Sequence, residues 1–249
     1  MAYKDVILNK LNPYVDNMDK HIEHDKGLLL LLVAFLDSTE KVITKLNITD
    51  NSMLLLKSKL SKFVPIFLEH IEKLLEDWLI GIRKQFIQDH DKIVSVRESN
   101  LGMNRISDVN NLYTAMPNDI FTFIQKQFDL ISERLSGSHL FEVLKSTISR
   151  FNWIMNNLSE KAEKNITEVI QRGPIDNSIG FESILIYFND FSEIINMYED
   201  YFQDYVLQKV IATEEDEESK IPVKERANTI LYSTYREILQ SRQEMVRRL

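Results

Sequence analysis

The stretch from Leu112 to Leu158, LYTAMPNDIFTFIQKQFDLISERLSGSHLFEVLKSTISRFNWIMNNL, decides the fold. Pro117 suits the first turn of a helix, where its missing N–H would have no partner. Asn118 and Asp119 put polar acceptors and a negative charge at the positive end of the helix dipole. Phe121, Ile124, Phe128, Ile131 and Leu135 recur at three- and four-residue steps, which places them on one helical face. Ser136-Gly137-Ser138 interrupts the period: Gly137 can take a left-handed backbone, and Ser138 can cap the next helix. The period then resumes through Phe141, Leu144, Ile148, Phe151, Met155, Leu158 and Ala162. Two amphipathic helices joined this tightly must lie antiparallel with their apolar faces together.

Composition supports extending that reading to the whole chain. Of 249 residues, 44% are hydrophobic and 27% charged, with only 6 Gly and 5 Pro, a balance that favours long helices over turn-rich sheets. A formal charge of −8 argues against general nucleic-acid binding, which needs clustered Lys and Arg. The lack of cysteine excludes a disulfide framework or thiolate metal site and fits a reducing cytoplasm. Leu28 to Leu36, LLLLLVAFL, is too short to cross a membrane, which takes roughly 20 residues. It is expected to be a helix buried on all sides. Asn47, Asn157 and Asn165 open glycosylation-type triplets that read as chance matches.

Outward from the central stretch, Asp16–Leu46 reads as helical and Asn47–Asn51 as a polar turn, with Asn51 or Ser52 capping the next helix. Met53–His90 continues with Leu56, Leu60, Phe63, Phe67, Ile71, Leu75 and Trp78, and Pro65 predicts a kink or joint. Asp91–Asn111 loses the period and reads as an irregular loop. Gly173-Pro174 stops the long central helix, and Phe181–Ala212 forms an aromatic-rich one. Thr213–Lys220, TEEDEESK, reads as a solvated acidic loop, and Val223–Leu249 as a last helix. These expectations add up to an all-α chain, an elongated rod of stacked antiparallel bundles. One bundle spans 1–111 with its irregular loop at about 91–111, and a second spans 112–249.

No catalytic, cofactor-binding or metal-binding residues are assigned. His21 and His24 with Glu23 lack the spacing of a zinc-protease helix and read as exposed polar residues. His70, among apolar neighbours, could be a hydrogen-bonded core residue, with no partner identifiable in the sequence. Asp89, His90 and Asp91 set carboxylates beside an imidazole, but a triad needs a converging nucleophile, which neighbours along a helix cannot supply. Asp37 with Glu40, and Glu72 with Glu76, share helix faces without a visible enclosing pocket. Glycine-rich phosphate loops are missing. Arg242, Arg247 and Arg248 make the last helix basic, which its dipole suffices to explain.

The central stretch resembles a segment of the exocyst complex component three family, in which a Tyr, a polar spacer and an Asp–apolar–Phe step open a helix. Tyr113, Asp119, Ile120 and Phe121 fit, as do Gln125 and Gln127 and the spacing into the next helix. The similarity extends in looser order from Phe67 to Tyr205. The resemblance implies a non-enzymatic subunit of a complex that tethers secretory vesicles at the plasma membrane. It also implies other tethering subunits and SNARE proteins as partners, a cytoplasmic location and peripheral contact with the membrane. A small helical adaptor gripping one partner helix is the alternative reading.

Overall fold

The computed structural model describes residues 6, 10–100, 112–172, 177–212 and 222–248. Among them the regular structure is entirely helical. Two short helices, α1 (Asn12–Asp16) and α2 (Met18–Ile22), lead to α3 (Gly27–Lys45) and α4 (Asn51–Ser61). The long α5 (Phe63–Asn100) comes next, then α6 (Met116–Ser132) and the second long helix, α7 (Gly137–Arg172). After these come α8 (Asn177–Tyr198), a π-helical segment (Glu199–Val206), α9 (Leu207–Ala212) and α10 (Val223–Arg248).

The central hairpin forms as its pattern dictates. Every residue of both predicted stripes is buried, from Phe121 to Leu135 on α6 and its connection and from Phe141 to Ala162 on α7. Gly137 has φ 49°, the left-handed backbone that glycine adopts without a Cβ clash. Phe121 near the start of α6 meets Phe151 in the middle of α7 at 5.8 Å between ring centroids, so the pair runs antiparallel. Yet α6 and α7 are not each other's main partners. Helices α5, α6, α8 and α7 close a ring in which α6 packs chiefly on α5 and α8. Meanwhile α7 packs on α5, α8 and above all α10. Helices α3 and α4 sit on the other side of α5.

Phe151 lies at the centre, touching Tyr198 at 5.6 Å and Phe202 at 5.8 Å besides Phe121. The predicted 181–212 helix contains the π-helical turn here. Its wider winding lets the neighbours Tyr201 and Phe202 both enter the core, 9% and 0% exposed.

Several boundaries differ from the sequence reading. The irregular stretch expected from Asp91 is helical as far as Asn100, because Ile93 and Val94 still pack on the core; residues 101–111 lie outside the described residues. So does the acidic run 213–220. Among the described residues, one cluster of buried side chains runs from Val15 to Met245, with members on both sides of 111/112. Its long helices α5 and α7 are bolted together across that point: Arg150 reaches Glu72 at 2.9 Å and Glu76 at 3.1 Å. The joint predicted at Pro65 occurs just before it, at Lys62, leaving Pro65 in the first turn of α5 where a proline is tolerated.

Candidate docking face

Helix α3 departs most from its sequence reading. The run Leu28–Leu36, expected to be covered on all sides, is covered on all but one: Leu28, Leu30 and Ala34 are partly buried against the core, and Leu31 and Phe35 are exposed. Leu29, Leu32, Val33 and Leu36 point into the core. Leu31 is 49% exposed, Phe35 37%, Val42 42% and Leu46 66%. At steps of four, seven and four residues these four side chains lie in one stripe along the helix. A helix apolar on both faces normally has both covered. Here α2, α4, α5 and the α6–α7 turn pack against the helix, and the row from Leu31 to Leu46 stays exposed.

The stripe is held on a firm support. Asn47, at φ 48°, ends α3 in a Schellman arrangement: its own N–H reaches the Thr44 carbonyl at 3.1 Å, and that of Ile48 reaches Ile43 at 2.9 Å. Asp50, rather than Asn51 or Ser52, caps α4 by accepting the Ser52 N–H at 2.7 Å. On its inner side α3 clasps the turn between α6 and α7. The Ser136 hydroxyl donates to buried Asp37 at 2.9 Å, and Glu40 lies 2.7 Å from His139 Nε2. Burial pushes the Glu40 carboxyl up, but His139 and Lys57 outweigh it and hold it below its ordinary value. Both acid pairs noted in the sequence are therefore structural, with Asp37 and Glu40 gripping the start of α7 and Glu72 and Glu76 holding Arg150.

His21 and Glu23 with His24 are exposed around the end of α2, as read from the sequence. His70 is half-buried, and burial, then Lys26 and Lys73, lower its basicity. His90 gains the neighbour that sequence could not supply: its Nε2 lies 2.9 Å from Ser183 Oγ, and its Nδ1 lies 3.2 Å from Asp91 Oδ1. These are the distances of a nucleophile, base and orienting acid. However, Ser183 lies inside α8, where the backbone N–H groups that would stabilise an oxyanion are engaged in the helix. Asp91 is 71% exposed, and Nε2 also approaches the Ser183 carbonyl at 3.3 Å. The arrangement ties α5 to α8.

One buried charge escaped sequence reading altogether. Asp190, with no exposed surface, accepts the Thr114 N–H at 3.0 Å and its hydroxyl at 2.6 Å, while Asn189 donates to the Leu112 carbonyl at 2.9 Å. Thr114 Oγ1 in turn accepts the Met116 N–H at 3.2 Å, so α8 secures the entry to α6. Burial lifts the Asp190 carboxyl to about 6 despite those hydrogen bonds. Only the proximity in space of residues 76 apart reveals this lock. Trp78, placed by sequence on the apolar stripe of α5, is 50% exposed and stacks on Phe123 at 4.1 Å.

No helix among the described residues is long and apolar enough to cross a membrane. Comparison of the chain with protein-family models, curated proteins and solved structures gives no match.

Proposed function

We propose that this chain is a non-enzymatic scaffold that works by docking other proteins. The observation that carries this reading is the apolar stripe of α3, a rigidly supported row of large side chains left open to water. Covering such a row returns about 25 cal/mol for each Å² of apolar surface buried. Patches of this kind mark interaction sites when they are contiguous.

In its most specific form the reading is an exocyst-like tethering subunit, as the likeness of Leu112–Leu158 to that family suggests. Such a subunit would act at the cytoplasmic side of the plasma membrane through other tethering subunits and SNARE proteins. The associated architecture is an elongated rod of stacked bundles. One feature supports an extended body: α5 and α7, at 38 and 36 residues, are each about 55 Å long. The alternative, a small adaptor holding one partner helix, is favoured by the shape of the stripe itself, which matches one helix in width.

Affinity capture of the tagged chain from lysate of its own source, read by mass spectrometry, tests both forms. Several large helical subunits or SNAREs in fixed ratio are expected for a tethering subunit, and one partner for an adaptor. Either should be lost from a Leu31→Lys/Val42→Lys chain. Capture of nothing beyond the chain itself would overturn docking of other proteins, and capture indifferent to that double substitution would overturn docking through α3.

A further inference from the structure

We infer that the partner of the α3 face is α3 of a second copy of this chain, laid antiparallel across a two-fold axis. The inference rests on the reading of that face as a docking surface and specifies its occupant. Leu31 and Phe35 on one side, and Val42 and Leu46 on the other, are spaced alike about a point between Ser38 and Thr39. Turned end for end, the stripe therefore meets itself in register: Leu31 opposite Leu46 of the second copy, and Phe35 opposite Val42. Reciprocal contacts of this kind are what a two-fold interface requires.

The polar groups near the axis permit that burial. Ser38, exposed beside the axis, donates its hydroxyl to the Ala34 carbonyl at 2.9 Å, and Thr39 is already buried in the monomer, where it donates to Phe35 at 2.7 Å, so closing the seam strands no donor. Charge selects the direction. The stripe itself is uncharged, and the cations beside it, Lys41 and Lys45, lie toward its C-terminal end. Parallel pairing would set Lys45 against Lys45. Antiparallel pairing separates the two by roughly 20 Å along the axis, beyond the ~8 Å screening length of physiological salt. Lys41 is already held by Asp37 at 3.1 Å. A seam as long as the 19-residue α3 buries on the order of 1,000 Å² in total, the lower limit for a specific interface. The dimer is accordingly weak and concentration-dependent.

Sedimentation velocity on the purified full chain over a concentration series tests this directly. A species of twice the monomer mass should grow with concentration, and Leu31→Lys should weaken it at least tenfold without changing the helical circular dichroism. Because the chain has no cysteine, position can be probed independently. Ser38→Cys, near the axis, should be bridged to a covalent dimer by a short bis-maleimide, whereas Lys73→Cys, exposed on α5, should not. If Leu31→Lys perturbs folding, the bridging result decides. A monomer at hundreds of micromolar, or a dimer bridged equally at both positions, overturns self-pairing. If the monomeric chain still captures partners and the α3 double substitution abolishes the capture, the docking face stands and only the second copy is wrong.

Discussion

Helices α3 and α7 invert what their compositions suggest. Nine consecutive apolar residues open α3, yet that helix leaves much of its apolar surface in water. Helix α7 has no comparable run, with Ser, Asn, Glu and Lys throughout, yet its stripe from Phe141 through Phe151 to Val169 is fully covered. Apolar content measures how much surface a helix offers for burial. Periodicity determines how much of it one neighbouring layer can reach. Helix α7 offers one stripe, and its neighbours fill it. Helix α3 offers two faces to a monomer that covers one, and the remainder becomes available to another molecule.

The strongest way to break this contrast is to truncate one aromatic residue on each helix. Phe151→Ala empties the centre of an aromatic cluster and should cost about 3–5 kcal/mol in denaturant unfolding. Phe35→Ala on the open face should cost the monomer less than about 1 kcal/mol. Comparable losses would mean that the outer face of α3 is covered within the monomer.

A second prediction concerns charge in the covered region. Asp190 has a carboxyl raised in the fold from an ordinary 3.8 to about 6. Its protonated form favours the native state. That contribution is complete below the unfolded value and is lost as pH rises toward the folded one, leaving the protein lower by up to about 3 kcal/mol above pH 6. Asp190→Asn should abolish this fall, so that the difference in stability between variant and parent changes between pH 4 and 6 and levels off above. A parallel pH dependence in the two proteins would show that the carboxyl does not titrate there. No such dependence is expected from substitutions on the open face of α3.

The smallest effect lies on another open surface. Gly81 is exposed in the middle of α5, and a Cβ added there meets nothing within 4 Å. Gly81→Ala should stabilise the protein by about 0.5–1 kcal/mol through helix propensity alone, measurable as a raised midpoint of thermal unfolding.

The candidate docking face was only half legible. Sequence identified the apolar run of α3 but not its open side, since a short apolar run looks the same whether one face or two are covered. Asp37 with Glu40, and Glu72 with Glu76, were legible as pairs on a face, whereas their partners Ser136, His139 and Arg150 depend on which helix lies opposite. Extending the aperiodic region back to Asp91 gave too much weight to polar composition, because Ile93 and Val94 suffice to keep the end of α5 against the core.

Local rules, by themselves, determined the helical class, the stripes of α6 and α7 and the left-handed turn at Gly137. Each depends on side-chain period or backbone sterics within a few residues. Tertiary structure alone decided that α6 and α7 find their main partners elsewhere, that Asp190 locks Thr114 and that the row from Leu31 to Leu46 stays open. Those outcomes depend on which surfaces meet across long sequence separations, where many pairings satisfy the same apolar pattern and only packing of the whole chain selects among them.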